Sequence, residues 1–223
     1  MFRTVATLCL ALPALIVSAQ ERVNVSQFSQ NDLSRWKEKE FNGATDYQII
    51  RQQDQFVLKA TSRQSASILA LEEKVDLLKT PYINWSWKIE NQMSPLNERI
   101  KSGDDYSARL YVVIGSSWAI WNTRTLNYVW SSNQPKGSKW NNAYAGEKAK
   151  MMAVRGESDA LNMWFSEKRN LYQDLIQVFG DKGSEEENRD AYRYIDAIAI
   201  MTDSDDSKQN ATAYYGDIIF TDN

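Results

Sequence analysis

The stretch GDDYSARLYVVIG, Gly103–Gly115, carries two carboxylates, an arginine and a long apolar run. Read as a strand, it separates into two faces, because successive side chains point to opposite sides. Tyr106, Ala108, Leu110, Val112 and Ile114 share one face, and Asp105, Ser107, Arg109, Tyr111 and Val113 share the other. The first face predicts a core. The second is polar and aromatic. Asp104, next to Gly103, reads as a turn residue. Asp105 and Arg109 stand about 13 Å apart along such a strand. Each charge therefore looks to a neighbouring strand or a ligand, with Glu90 the expected partner of Arg109 and Lys88 that of Asp105.

The same alternation recurs through the chain. In YINWSWKIE, Tyr82–Glu90, the residues Ile83, Trp85, Trp87 and Ile89 share one face, and Lys88 and Glu90 lie on the other. RVNVSQF, DYQIIR, QFVLKAT, SASILAL, LNYVWSS, KAKMMAVRG, LNMWFSE, DAIAIMTD and AYYGDIIF repeat the pattern. They are rich in the β-branched and aromatic residues that favour strands. About ten such strands, separated by polar turns, predict an all-β fold: a two-sheet antiparallel β-sandwich. One segment follows a helical period. NLYQDLIQVFG places Leu171, Leu175 and Phe179 four apart, with Asn170 as N-cap and Gly180 as terminator, and predicts one helix over 171–179. NQMSPLNERIKSGD, SNQPKGSKWNNAYAGE and GDKGSEEENRD read as long polar loops.

Residues 1–19 read as a cleavable signal peptide. Arg3 precedes the apolar run Val5–Val17, and Ser18 and Ala19 supply small residues before Gln20. Residues 20–223 are then one sandwich domain, exported to the periplasm or beyond. Cys9, the one cysteine, falls inside the signal, so the domain itself holds no disulfide. Loss of Arg3 takes the net charge from −3 to −4. Scattered basic residues on a mildly acidic chain argue against nucleic acid as a partner. No later apolar stretch is long enough to span a bilayer.

The absence of histidine excludes whole reaction classes. Ser-His-Asp and Cys-His pairs cannot be built, nor can zinc sites of the His or Cys type. Carboxylate chemistry, Tyr, Lys or Arg proton transfer and oxygen-ligand metals remain.

The ordered set WSWKIE, GDDYSARLYVV, LNYVWSS, EKRNLYQDLIQVFG and IAIMTDSDDSKQNATAYYGDIIF resembles a family of secreted bacterial proteins catalogued as domain of unknown function 3047. The likeness runs from LSRWKEKEF to the C-terminus. It implies an exported bacterial protein with a β-rich domain and carries no assigned activity or site. The final strand, AYYGDIIF, is expected to pair near the first, an arrangement similar to jelly-roll carbohydrate-binding modules.

Ligand-binding candidates follow from residue type and position. Lys88, Glu90, Asp105, Arg109 and Tyr111 occupy the polar faces. Trp118, Trp121, Trp130 and Trp140 border loops, where an indole either stacks on a sugar ring or caps the core. Trp164 and Arg169 stand near Glu167 and Asp174, and Arg169 either binds an anion or pins helix to sheet through an ion pair. Asp203, Asp205 and Asp206 in TDSDDS either bind a structural calcium ion or serve as turn residues. No other cofactor is expected. Three functions remain open at this level: a non-catalytic module binding a glycan or envelope polymer, an envelope protein-interaction domain, and a polysaccharide-acting glycosidase or lyase.

Overall fold

Alternating apolar segments fold into fourteen strands among the described residues, 20–115 and 123–223 of a computed structural model. They are β1 (Arg22–Asn24), β2 (Lys37–Asn42), β3 (Asp46–Gln52), β4 (Gln55–Arg63), β5 (Ala66–Asp76), β6 (Tyr82–Ile89), β7 (Ala108–Ile114), β8 (Arg124–Trp130), β9 (Lys139–Asn142), β10 (Gly146–Arg155), β11 (Phe165–Asn170), β12 (Tyr194–Met201), β13 (Asn210–Tyr215) and β14 (Ile219–Thr221). Two helices, α1 (Leu171–Phe179) and α2 (Glu185–Tyr192), connect β11 to β12. The expected signal segment 1–19, Trp118 and Trp121 lie outside the described residues. Among the described residues, no helix is long and apolar enough to cross a membrane.

The strands form a sandwich of two seven-stranded sheets. The first runs β1-β14-β6-β13-β4-β3, with β11 also paired to β6, and the second runs β2-β5-β12-β7-β8-β10-β9. Every pairing is antiparallel except that of β8 with β10. AYYGDIIF, read as one strand, is broken at 216–218 into β13 and β14, and β14 returns to the first strand: Arg22 faces Thr221, and Asn24 faces Ile219.

The core lies between the sheets. The first sheet contributes Ile83, Trp85, Trp87 and Ile89, and the second contributes Ala108, Leu110, Val112, Ile114, Tyr128 and Trp130. Trp85 stacks on Tyr128 with ring centroids 5.1 Å apart. Trp87 meets Trp130 at 5.9 Å, and Trp130 meets Phe165 edge-on at 5.5 Å. Such pairs add about 0.5–1.5 kcal/mol beyond burial and lock the two sheets in register.

This core corrects one expectation. β6 and β7 belong to opposite sheets. Each turns its apolar face inward, so their polar faces point outward on opposite sides of the molecule. Lys88 and Glu90 therefore share no face with Arg109 and Tyr111. Tyr106 is also reassigned. It precedes β7 and packs with Val129, Trp140, Met151 and Ala153 in a second apolar cluster, away from the main core.

Three elements escape the apolar pattern. β2, KEKEFN, is a charged edge strand, the composition that keeps an open edge from pairing with another chain. β9 is a short edge strand whose residues alternate between exposed and buried. α2 forms within the segment read as polar loop. It has no apolar stripe, but Ser184 accepts from the Glu187 N–H and three glutamates occupy the first turn, where the helix dipole favours them. Conversely, Leu161–Trp164, read as strand, is loop, and β11 starts at Phe165. α1 matches its expected range, with Asn170 accepting from the Gln173 N–H at 3.0 Å. It packs against β6, β11 and α2, and among the described residues no part of α1 lines the Arg109 face.

Candidate functional site

The outer face of β7 is built around one buried cation. Arg109 is 2 % exposed. Its Nη2 donates to Asp203 Oδ2 at 2.6 Å and to the Asp104 carbonyl at 2.9 Å, and Nη1 donates to the Tyr111 hydroxyl at 2.7 Å. The guanidinium also lies 4.2 Å from the Tyr106 ring centroid. Burial works against its charge, but Asp203 first, then Tyr111 and Asp104, hold its pKa above the ordinary value. The expected partners are thus replaced. Glu90 accepts from the Tyr214 hydroxyl, and Lys88 donates to Gln52 Oε1 at 3.1 Å.

Asp104 does more than end a turn. It is buried and accepts from Asn142 Nδ2 at 2.9 and 2.8 Å, which ties the start of β7 to β9. Burial raises its pKa, and nearby Arg109 pulls the other way. Asp105 accepts from the backbone amides of Asp206 at 3.3 Å and Ser207 at 2.5 Å. The TDSDDS turn is therefore clamped against the head of β7 by side chains from a distant part of the chain.

Beside this network a cleft of about 450 Å³ opens on the outer face of the second sheet. Its walls include Ala66 of β5, Met201 of β12, Arg109 and Tyr111 of β7, Thr125 and Asn127 of β8, and Ala149 of β10. Phe41 and Asn42 of β2 contribute a further part of the lining, and Asn142, Tyr144 and Ala145 at the β9–β10 turn another. Asp104, Asp203, Asp205 and Asp206 complete it. Phe41 is 48 % exposed and Tyr144 57 %, so two large rings stand open at this cleft. Asn127 is 1 % exposed, and among the described residues neither its Oδ1 nor Arg109 Nε has a hydrogen-bond partner. Buried groups of this kind nearly always find partners, so two of them on one cleft are unusual.

The acidic turn groups differently from its sequence spacing. Carboxylate oxygens of Asp105, Asp203 and Asp205 lie within 4.8 Å of one another, while Asp206 turns to accept from the Tyr144 hydroxyl at 2.7 Å. Asp105 takes two backbone amides, Asp203 takes Arg109 and the Tyr106 amide, and Asp205 accepts from Asn42 Nδ2 at 3.0 Å. A guanidinium 2.6 Å from Asp203 supplies the counter-charge. These donors compete for the oxygens that calcium coordination, six to eight ligands, would need.

The tryptophans divide sharply. Trp130 is buried between Trp87 and Phe165. Trp140 is buried against Tyr106 and donates its indole N–H to the Glu98 carbonyl at 3.2 Å. Neither presents a face to a ligand, because each fills an apolar cluster. Trp164 is 37 % exposed, on the outer side of the first sheet. Arg169 forms the internal ion pair, meeting Asp174 of α1 at 2.6 Å, and Asp174 also accepts from the Tyr128 hydroxyl at 2.7 Å.

Sequence reasoning missed several cleft residues: Phe41, Asn42, Asn127, Asn142 and Tyr144. The long segment SNQPKGSKWNNAYAGE contains the last two, and its length was their signal. Glu98 was also missed. It is fully buried and accepts from the Ser131 hydroxyl and from both the hydroxyl and the amide of Ser132.

No curated protein matches the chain. Among solved structures, the fold is similar to the family 11 carbohydrate-binding module of Clostridium thermocellum, at 10 % identity over 91 % of this chain and 96 % of that one, with a TM-score of 0.46. It is likewise similar to a family 27 module of Caldicellulosiruptor saccharolyticus, at 10 % identity over 91 % and 98 %, TM-score 0.44. A third similar structure is a Cel12A cellulase variant derived from Rhodothermus marinus, at 8 % identity over 91 % and 100 %, TM-score 0.46. The profile of a protein family of unknown function, DUF3047, matches residues 34–219, and the chain belongs to that family.

Proposed function

We propose that this domain is a non-catalytic glycan-binding module that works outside the bacterial cytoplasm, with the cleft on the second sheet as its binding site. One observation carries the reading: a cleft of about 450 Å³ is flanked by two exposed aromatic rings, Phe41 and Tyr144, and edged by amides and carboxylates. Flat apolar rings suit the C–H face of a sugar, and the polar edge suits its hydroxyls. The state of the carboxylates supports binding over catalysis. A glycosidase needs one carboxyl free to donate a proton and a second free to attack or to activate water. Here Asp104 is held by Asn142, Asp203 by Arg109, Asp205 by Asn42 and Asp206 by Tyr144.

Export is part of the proposal and rests on residues 1–19. Cell fractionation tests it: recovery of the full-length, uncleaved chain from the cytoplasm refutes it. The binding itself is tested by affinity electrophoresis of the folded protein against envelope and plant polysaccharides. Retardation by at least one polymer, weakened in the Phe41→Ala/Tyr144→Ala double variant, is the expected result. Equal retardation of that variant overturns the assignment of the cleft.

A further inference from the structure

The opposite side of the molecule carries a larger groove, about 980 Å³, on the outer face of the first sheet. Its floor is made of small residues. Ser86 lies on β6, Ser166 on the paired β11, and Gly216 just after β13. Gly216 keeps this floor low, and a Cβ there would press on the Ser86 hydroxyl until that hydroxyl rotated aside. One wall is the β3–β4 hairpin from Gln52 to Val57, and another carries Asn162 and Trp164 from the loop before β11.

Each of these walls holds an aromatic ring. Phe56 is 36 % exposed and Trp164 37 %. The loop bearing Trp164 is fastened to the sheet: the Asn162 N–H donates to the Ile89 carbonyl at 2.9 Å, and the indole meets the Tyr214 ring at 6.5 Å. The Lys88 ammonium sits 5.5 Å from the Trp164 centroid and 4.2 Å from that of Tyr214. A ring held this way loses little entropy when a ligand stacks on it.

Part of the polar lining of this groove is open to a ligand, while Ser29, Gln52, Asp54, Lys88, Asn162 and Asp217 are already engaged. Among the described residues, the hydroxyls of Ser86 and Ser166, the side-chain amides of Gln53 and Gln55 and the indole N–H of Trp164 make no hydrogen bond. In the cleft on the second sheet the carboxylates Asp104, Asp203, Asp205 and Asp206 are all engaged. The groove carries a net formal charge of −1, which disfavours a polyanionic chain. Lys88 is one charge in it, Asp54 is another, and Asp217 already accepts from Asn24, Ser26 and Ser29. Neutral hydroxyls and amides between two aromatic walls complement an uncharged polyhydroxylated chain better than a uronate or a basic peptide.

We propose that this groove is a second glycan site, selective for an uncharged polysaccharide, so that one domain bridges two chains from opposite faces. It shares with the cleft reading the ligand class alone. Isothermal titration of the folded protein with uncharged β-1,4-linked hexasaccharides of glucose, mannose, xylose and N-acetylglucosamine tests it, with a hexagalacturonate as the charged probe. The expected result is two equivalents of one neutral hexasaccharide per chain. Trp164→Ala/Phe56→Ala should remove one equivalent and Phe41→Ala/Tyr144→Ala the other, with thermal midpoints close to wild type. If Trp164→Ala/Phe56→Ala leaves the stoichiometry unchanged, the groove proposal falls and the cleft reading stands. If Phe41→Ala/Tyr144→Ala alone is silent while Trp164→Ala/Phe56→Ala abolishes binding, the cleft reading falls and the groove remains as a single site. Binding of hexagalacturonate at the groove, lost in Lys88→Gln, overturns the uncharged class. No binding of any probe overturns both.

Discussion

Arg109 and Asp203, 94 residues apart in sequence, meet at 2.6 Å in an ion pair that is almost wholly buried. It joins the head of β7 to the turn after β12 and so forms one side of the cleft. Removing one partner leaves a buried charge without its counter-ion, which costs about 3–5 kcal/mol. Asp203→Ala and Arg109→Ala should each lower the thermal midpoint by roughly 2–4 °C per kcal/mol lost. Replacing both by apolar residues of similar volume should recover much of the loss. A double-variant midpoint at or below the worse single variant would contradict this account.

Glu98 poses a related test at the same end of the sheet, where the head of β7 pairs with the end of β8. Its carboxylate receives the Ser131 hydroxyl and two donors of Ser132 in a buried site. Glu98→Ala strands these donors, at about 1–3 kcal/mol each when they stay buried. Glu98→Gln keeps an acceptor and should cost less. Urea unfolding of the two variants, compared at constant slope, reads the difference.

The carboxylates also set the sign of the acid response. Burial raises the pKa of Glu98, Asp104 and Asp206 above ordinary values. A raised folded-state value means that the folded protein takes up protons before the unfolded chain does, so stability grows as pH falls through it. Asp76 is opposite: its hydrogen bond with Arg193 lowers its pKa, and its contribution is lost only as pH falls below the ordinary 3.8. The urea midpoint should therefore hold or rise from neutral pH toward 4.5, the ordinary value of Glu98, and fall below 3.8. Glu98→Gln should flatten the rise. A midpoint that drops steadily from pH 7 to pH 5 would refute this.

Gly103 begins the stretch for a steric reason. A Cβ there would run into the Asn97 backbone carbonyl, which cannot rotate away as a side chain does. Gly103→Ala should cost about 1–3 kcal/mol, as overpacking of a close contact does. A variant as stable as wild type would show that the 97–103 turn yields.

α2 depends on its cap because it has little apolar surface to bury. Ser184→Ala removes the bond accepted from the Glu187 N–H, at about 1 kcal/mol. Local opening should take up that loss, so amide exchange should quicken across 185–192 and stay unchanged in β7. Uniform acceleration through both elements would mean that α2 opens only with the whole domain.

The sequence by itself determined the fold class and the strand faces. Alternation is a local property, and Trp85, Trp87, Leu110 and Val112 each point to the core in the phase that their spacing requires. The α1 helix was equally legible, because its cap, period and terminator all fall within eleven residues. α2 and β2 were not, since a polar helix and a charged edge strand bury too little to leave an apolar period.

Which sheet each strand joins was decided only by tertiary structure. β6 and β7 have the same pattern, and nothing local separates two strands of one sheet from two that face each other across a core. That ambiguity paired Glu90 with Arg109 in the sequence reading, while the folded chain puts them on opposite surfaces. The same limit hid the cleft. Phe41, Asn127, Tyr144 and Asp203 come from four distant segments, and their meeting depends on strand order and register. Whether Trp130 or Trp164 is exposed likewise depends on which neighbours arrive to cover it, because an indole is apolar enough to be buried and polar enough to stand in water.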